Sequence, residues 1–292
     1  MRLGLGTVQF GMDYGIANER GKTGLADVRA IIAMAEQNGI SVLDTAAAYG
    51  DSEATLGACL GEAQGWRVVT KTPPLRTYPG ADARDLVRSG LSCSLDRLQR
   101  GSVYGLLVHH AADLLGPQGD AVYSEMKRLK DEGRVSRIGF SAYRGEDVDQ
   151  LLARFDIDLV QIPLNVLDQR MVSGGQIERL RRRGVEIHVR SVFLQGLLLI
   201  DPGQLHGYFT PISRRLADWR EVLRSEGLSA AQGALAFVAS IGPDVVLIGV
   251  DSPEQLAGNI RDFALASVGT VDYFRFALDD EKFVNPSNWK LN

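Results

Sequence analysis

The sequence is dominated by a regular alternation of short apolar runs and longer segments with helical periodicity. Eight short runs rich in Val, Leu and Ile are each followed by a segment whose apolar residues recur every three or four positions. This order is typical of strands that pair in parallel through helical connections. Eight such units in about 250 residues predict an α/β fold, the (β/α)8 TIM barrel; a doubly wound open sheet is the competing architecture. The predicted strands are residues 3–8, 41–44, 67–71, 103–109, 135–140, 158–162, 185–190 and 245–249.

Nothing in the composition divides the chain into separate domains. The 292 residues are 45% hydrophobic and 23% charged, as in ordinary globular proteins, and no linker or low-complexity segment interrupts them. We therefore expect a single domain over residues 1–292. Residues 265–292 are expected to form a C-terminal tail that packs on the barrel through its aromatic side chains, which are Phe274, Phe276, Phe283 and Trp289.

The charge and the metal-binding residue types argue against several classes of function. A formal net charge of -4 offers no basic face for nucleic acid or a membrane surface. No apolar run is long enough to span a membrane and no signal peptide is apparent, so we expect a cytoplasmic protein. The four His have no H-x-x-x-H spacing, and Cys59 and Cys93 form no C-x-x-C pair. We therefore expect no metal site and two reduced thiols packed in the core.

The residues that end the predicted strands are the first functional candidates, because TIM barrels carry their active sites at the carboxyl ends of the strands. Asp44 ends the second strand, Lys71 the third and His109 the fourth. Tyr49 lies in the loop after the second strand. A free Tyr has a pKa near 10, and a Lys cation beside it is expected to lower that pKa. These residue types suit proton transfer to and from a substrate oxygen.

A reaction scheme follows from these four residues. Asp44 would hold Lys71 charged, and His109 would hydrogen-bond the substrate oxygen. Tyr49 would then act as general acid when a carbonyl is reduced and as general base in the reverse direction. No side chain can supply a hydride, so this chemistry requires a nicotinamide cofactor.

The motifs around these residues resemble those of the aldo-keto reductase family over nearly the whole chain, as in a bacterial member. The matching segments lie on most of the predicted strands. They are LGLGT at 3–7, DTAAAYG at 44–50, SEATLG at 52–57, TK at 70–71, LLVH at 106–109, GRVSRIGFS at 133–141, VQIPLN at 160–165 and IGVDSPEQLAGN at 248–259. The resemblance implies that Asp44, Tyr49, Lys71 and His109 are the family's catalytic tetrad. It also implies an NAD(P)-dependent enzyme that reduces an aldehyde or ketone, with the cofactor bound across the barrel mouth and no Rossmann domain.

The resemblance further implies a set of cofactor contacts from several strand ends. These are Gly6, Thr7, Asp44, Ser141, Gln161, Arg190, Ser191, Leu194, Gly196, Gly249, Ser252, Gln255 and Asn259. Ser141 and Gln161 would bind the nicotinamide carboxamide. NADP is the cofactor expected from the family's habit, and NAD is the alternative because no cation stands at Asp251, Ser252 or Gln255 to pair with a 2′-phosphate.

The chain departs from the family pattern at the end of the seventh strand and after Ser141. Arg190 stands where the family commonly has an aromatic residue that stacks on the nicotinamide, and Ala142 stands where it often has Asn. A guanidinium can stack on a ring, so Arg190 would replace the aromatic and bring a positive charge to the nicotinamide or to a substrate anion. The alternative is a salt bridge between Arg190 and a neighbour.

Substrate contacts are expected from loop residues over the mouth, namely His110, Tyr14 and Tyr143. The first loop, residues 9–18, resembles that of bacterial family members, some encoded near sugar or surface-polysaccharide genes, and this resemblance would favour a sugar-like or hydroxylated aldehyde as the substrate. Two alternatives remain open: a cofactor-binding sensor or accessory subunit, as in the family's potassium-channel β-subunits, and a lyase or isomerase that uses Lys71 as a Schiff-base nucleophile. The sequence leaves the oligomeric state undetermined.

Overall fold

A closed barrel of eight parallel strands forms the centre of the molecule. The structure, a computed structural model, describes residues 1–61, 65–78, 80–266 and 271–291. The strands pair in sequence order from the first to the eighth, and the eighth pairs with the first. The predicted (β/α)8 barrel is therefore confirmed, and the open-sheet alternative is wrong. The strands are β1 (Arg2–Gly6), β2 (Val42–Asp44), β3 (Arg67–Lys71), β4 (Val103–Val108), β5 (Val135–Ser141), β6 (Leu159–Pro163), β7 (Glu186–Arg190) and β8 (Val245–Gly249).

Helices surround the barrel, and their apolar stripes pack against the outer faces of the strands in one continuous core. Three short helices follow loops and have too few residues for a periodic signal in the sequence; they are Ala111–Leu115, Arg170–Ser173 and Glu281–Val284. In the described ranges the helices are α1 (Leu25–Gln37), α2 (Ser52–Leu60), α3 (Ala83–Leu98), α4 (Ala111–Leu115), α5 (Gly119–Asp131), α6 (Gly145–Arg154), α7 (Arg170–Ser173), α8 (Gln176–Arg182), α9 (Ser213–Ser225), α10 (Ala230–Ile241), α11 (Pro253–Leu265) and α12 (Glu281–Val284).

Two small apolar clusters fill the inside of the barrel. One consists of Val42, Val245 and Leu247, and the other of Val69, Leu107 and Leu159. Successive residues of a strand point to opposite faces, so Asp44, two residues after Val42, also faces inward, as do Lys71 and Gln161. The apolar clusters therefore form a floor beneath the polar side chains at the carboxyl ends of the strands.

The aromatic residues of the C-terminal segment differ in their exposure. Phe276 and Phe283 are buried in the main core, and the Trp289 indole donates to the Phe283 carbonyl at 3.1 Å. Phe274, in contrast, is 59% exposed. The Phe274 ring meets that of the buried Phe237 on α10 edge to face, with centroids 6.5 Å apart. The packing of the tail on the barrel and its boundary at residue 265 stay predictions.

The two Cys also differ from one another. Cys59 lies half-buried against the main core, whereas Cys93 is exposed on α3, so the expected core packing of Cys93 is wrong. Within the four described ranges, no group of three or more His, Cys, Asp or Glu side chains is placed to hold a metal ion. No helix in those ranges is both long enough and apolar enough to cross a membrane.

Candidate active site

A buried ion pair occupies the end of β2 and β3. The Lys71 ammonium donates to Asp44 Oδ1 at 2.7 Å and to the Thr45 carbonyl at 2.9 Å. The side chain of Lys71 is only 1% exposed and that of Asp44 only 6%. Burial lowers the pKa of Lys71, and the Asp44 carboxylate counters that effect. The two strands are neighbours in the barrel, which explains why residues 27 positions apart in sequence meet here.

Gln161 reaches the same carboxylate from the opposite side of the barrel. Its amide nitrogen donates to Asp44 Oδ1 at 2.7 Å. Its amide oxygen is buried and has no hydrogen-bond partner among the described residues. A buried acceptor without a donor is costly, so this oxygen marks a place that suits a ligand N–H group. Ser141, the register partner of Gln161 on β5, is buried beside it.

Tyr49 lies over this ion pair. Its ring centroid is 4.9 Å from Lys71 Nζ and 5.8 Å from the His109 ring, which meets it edge to face. Burial raises the pKa of the Tyr49 phenol, the Asp44 carboxylate raises it further, and Arg190 lowers it. The expected lowering of the Tyr49 pKa by Lys71 is therefore wrong in this structure, because burial and the Asp44 carboxylate outweigh Arg190.

His109 and His110 form a stacked pair at the end of β4. Their rings are nearly parallel, with centroids 4.8 Å apart. The His109 backbone N–H donates to Thr72 Oγ1 at 3.3 Å, which ties the end of β4 to the residue after β3. The structure thus brings Asp44, Lys71, Tyr49 and His109 together at one end of the barrel and places His110 next to them. Thr72 was not predicted, since an isolated Thr after a strand carries no sequence signal.

Hydroxyl groups beneath the Tyr49 loop hold it in position. Thr7 Oγ1 donates to the Asp44 carbonyl at 2.9 Å, Ser52 Oγ to the Thr7 carbonyl at 2.8 Å, and Thr45 Oγ1 to Ser52 Oγ at 3.0 Å. Ser52 is the first residue of α2, and Asp51 at the N-cap forms no side-chain capping bond. The Ser52 hydroxyl is instead used to join β1 to the Tyr49 loop.

Gly11 allows the first loop to approach the Tyr49 loop closely. A Cβ at Gly11 would lie 1.8 Å from the Tyr49 carbonyl oxygen, and one at Gly50, whose φ is +53°, would lie 2.5 Å from the Gly11 carbonyl oxygen. Real Cβ contacts do not come so close, so both positions require Gly. Gly11 is a positioning residue that the sequence analysis missed, because its role depends on a contact with a distant segment.

Arg190 extends from the end of β7 toward β5. Its guanidinium carbon lies 4.0 Å from the centroid of the Tyr143 ring, and its nitrogens lie 3.4–3.5 Å from Ser141 Oγ, the Ala142 carbonyl and Ser191 Oγ. Arg190 lowers the pKa of Tyr143. Across residues 1–61, 65–78, 80–266 and 271–291, no carboxylate forms an ion pair with Arg190. The salt-bridge alternative is therefore wrong for the part of the chain that the structure describes, and stacking on a nicotinamide stays a prediction.

The loop after β7 has an unusual run of left-handed backbone. Ser191, Leu194, Gln195 and Gly196 have φ values of 60°, 48°, 53° and 90°. Gln195 joins the first loop, because its carbonyl accepts from the Ile16 N–H at 3.0 Å and its amide donates to the Tyr14 hydroxyl at 3.1 Å. Left-handed residues turn successive N–H groups into concavities that bind anions. This loop therefore has a backbone suited to a phosphate group.

The loop after β8 leads into α11 through a capped N-terminus. Ser252 Oγ accepts from the Gln255 N–H, and Gln255 Oε1 accepts from the Asp251 N–H, both at 3.2 Å. Asp251 is 6% exposed, and its Oδ1 has no hydrogen-bond partner in the described ranges. Gly249 is exposed at the end of β8 and Asn259 is half-buried on α11. The predicted adenosine end thus carries a buried carboxylate where a phosphate would prefer a cation.

Comparison with known proteins agrees with this geometry. The profile described as the Aldo/keto reductase family matches residues 2–269. An uncharacterized oxidoreductase of Mycobacterium tuberculosis, Rv2298, is 27% identical over 96% of this chain and 88% of its own. The aldo-keto reductase YhdN of Bacillus subtilis is 30% identical over 58% of this chain and 52% of its own.

A solved structure supports the fold. The holo form of the aldo-keto reductase AKR11C1 from Bacillus halodurans superposes with a TM-score of 0.72 over 94% of both chains at 22% identity. Together with the match over residues 2–269, these similarities show that the chain belongs to the aldo/keto reductase family.

Proposed function

We propose that this protein is an NAD(P)H-dependent carbonyl reductase whose Tyr49 protonates the substrate oxygen. The observation that carries the proposal is the position of Tyr49 over the buried Asp44–Lys71 pair and against the edge of the His109 ring. Burying an ion pair away from water costs free energy. A Lys that served only as a solvated surface charge would not be buried with its partner in this way. Membership of an oxidoreductase family supports the same chemistry.

Burial raises the pKa of Tyr49, which keeps the phenol in its protonated form. A phenol whose pKa exceeds its ordinary value stays protonated near neutral pH, so it can donate a proton to a carbonyl oxygen as negative charge develops there. Alcohol oxidation would need the phenolate as base, which burial disfavours. His109 would hydrogen-bond the same oxygen. Lys71 Nζ lies over the Tyr49 ring, 4.9 Å from its centroid.

The described residues fit a nicotinamide cofactor. The unpaired Gln161 amide oxygen and Ser141 suit the carboxamide, and the left-handed run from Leu194 to Gly196 suits the pyrophosphate. When bound, the cofactor would supply the hydride for the carbonyl carbon. NADPH is the family's usual cofactor, and NADH is the alternative because the Asp251 carboxylate would repel a 2′-phosphate. Fluorescence titration with both cofactors decides the preference.

The Schiff-base alternative is not favoured by the position of Lys71. Although burial lowers its pKa, as such a nucleophile requires, the side chain is 1% exposed and two of its three hydrogens are committed to Asp44 and Thr45. A substrate carbonyl carbon would have to displace both bonds. Borohydride trapping of a carbonyl compound on Lys71 would revive this alternative.

The test of the proposed function compares two phenols in the same mouth. Tyr49→Phe is expected to lower kcat for reduction of 4-nitrobenzaldehyde by about 10²–10⁴-fold, the usual contribution of a general acid, while the cofactor still binds. Tyr143→Phe, which removes a neighbouring hydroxyl, is expected to cost much less. Near-wild-type turnover by Tyr49→Phe would refute the assignment. Cofactor binding without turnover of any aldehyde in a broad panel would instead support the accessory-subunit alternative.

A further inference from the structure

The mouth of the barrel carries one positive charge that no described carboxylate balances. Lys71 is neutralised by Asp44 at 2.7 Å, and the phenols of Tyr14, Tyr49 and Tyr143 are uncharged when protonated. Arg190 is therefore the excess charge in this region of a protein whose formal net charge is -4. A guanidinium held partly out of water without a counter-ion favours the binding of an anion.

The guanidinium of Arg190 is fixed in orientation but weakly bonded at its edge. One face lies 4.0 Å from the Tyr143 ring centroid, which restricts its rotation. Its three oxygen neighbours are neutral and lie at 3.4–3.5 Å, whereas charge-assisted N–H···O bonds have lengths of about 2.7–2.9 Å. These bonds are longer than charge-assisted ones, and the planar fork of the guanidinium matches the two oxygens of a carboxylate.

The direction of the side chain separates this charge from the predicted phosphate sites. Arg190 starts on β7 and reaches past β6 to Ser141 and Ala142 at the end of β5. Leu194 to Gly196 and the capped N-terminus of α11, which suit the phosphate groups, follow β7 and β8, whereas Ser191 at the start of the left-handed loop lies beside the guanidinium. The guanidinium therefore points to the side of the mouth that holds Tyr143, and it is close enough to lower the pKa of both Tyr143 and Tyr49.

The geometry points to a carbonyl substrate that carries a carboxylate, which Arg190 binds while Tyr49 protonates the carbonyl oxygen. This inference rests on the proposed function and names its substrate class. The carboxylate takes no part in the chemistry: a hydride adds to the carbonyl carbon, the Tyr49 proton goes to the oxygen, and the product is the corresponding hydroxy acid. Arg190 contributes a positive charge and a bidentate hydrogen bond, so the preference for a substrate with a carboxylate should depend on both.

A matched pair of aldehydes tests this inference. The two substrates are 4-carboxybenzaldehyde and its uncharged methyl ester, assayed with the wild type, Arg190→Met, Arg190→Lys and Arg144→Met. Arg144 follows β5 at the same end of the barrel but is 59% exposed and paired with Glu146, so it controls for the general loss of a positive charge. The readout is the ratio of kcat/KM for the acid to that for the ester within each variant, because changes in cofactor affinity cancel in that ratio.

The wild type is expected to prefer the acid, and Arg190→Met to lower the acid-to-ester ratio by about 10–100-fold, as for the loss of a hydrogen bond to a charged group. Arg190→Lys should retain part of the preference, and Arg144→Met all of it. An acid-to-ester ratio that is unchanged in Arg190→Met would overturn the inference. Turnover of the ester by the same variant would still support the proposed function.

A binding measurement separates the two failures. Calorimetric titration with 4-(hydroxymethyl)benzoate and its methyl ester requires no turnover. If neither aldehyde is reduced, the proposed function fails, and equal affinity of the wild type and Arg190→Met for the benzoate would overturn the anion site as well. Tighter binding of the benzoate by the wild type alone would support the anion site.

Discussion

The Asp44–Lys71 pair should be the strongest single electrostatic interaction in the active site, and a double-mutant cycle measures it. Two unit charges 2.7 Å apart attract with about 6 kcal/mol at an effective dielectric constant near 20. Desolvation of both groups offsets much of that attraction. Removing one partner, however, leaves the other buried and charged, which typically costs about 3–5 kcal/mol.

The two single variants are therefore expected to be much less stable than the wild type. Lys71→Met leaves the Asp44 carboxylate with the Gln161 amide, and Asp44→Asn leaves the Lys71 ammonium with the Thr45 carbonyl. The double variant removes both charges together, so its loss of stability should be smaller than the sum of the single losses by about 2–4 kcal/mol.

Urea unfolding followed by tryptophan fluorescence measures these free energies, provided that the slope with denaturant stays constant among the variants. The control is the same cycle on Lys22 and Asp51, which share the 2.7 Å separation but are 40% and 73% exposed; its coupling should be far smaller. Additive losses at the Asp44–Lys71 pair, within about 0.5 kcal/mol, would refute the view that the pair is a coupled buried unit.

Two further predictions concern the contacts around the site and below it. Gly11→Ala places a Cβ 1.8 Å from the Tyr49 carbonyl oxygen, so it should lower the Tm by roughly 4–8 °C and reduce turnover; an unchanged Tm by scanning calorimetry would show that the first loop moves away freely. Burial raises the pKa of Glu186, but hydrogen bonds from His188 and Tyr104 outweigh it and bring the pKa to about 2. Because this pKa is lower in the folded than in the unfolded protein, Glu186 should contribute about 3 kcal/mol of stability above pH 4.5, which is lost as the pH falls toward 2. Urea unfolding between those pH values should therefore show a shallower pH dependence for Glu186→Gln than for the wild type, and equal dependence would contradict the assignment.

The fold could be predicted from the sequence because its signals are local. Buried parallel strands such as β3 and β8 are continuous apolar runs between turns, and their bounds were predicted without error. The end of β1 was placed two residues late, since Val8 continues the apolar run but begins a 3-10 turn. Residues 191–211 gave no periodic signal because they fold into short 3-10 segments, in which three residues form a turn.

The candidate site was predictable only in part. Strand-end positions and family motifs identified Asp44, Lys71, Tyr49 and His109, because the barrel topology brings consecutive strand ends together. The contact between Gly11 and Tyr49 joins segments that are 38 residues apart in sequence, and no local pattern encodes it. For the same reason the hydrogen bond from the Ser52 hydroxyl to the Thr7 carbonyl could not be predicted.

The acid strength of Tyr49 shows why such properties need the folded structure. From the sequence, the neighbouring Lys71 was expected to dominate and to lower the Tyr49 pKa. In the structure Asp44 neutralises that cation, the phenol is removed from water, and Arg190 from β7 is the group that opposes the increase. The Tyr49 pKa thus depends on burial and on charges at the ends of β2 and β7, and its direction keeps the phenol protonated. Arg190 limits the increase in the Tyr49 pKa and also offers a counter-ion to an anionic group. These two effects fit the reduction of a carbonyl compound that carries a negative charge. For such a substrate, binding of the carboxylate would neutralise Arg190 and keep Tyr49 protonated more firmly.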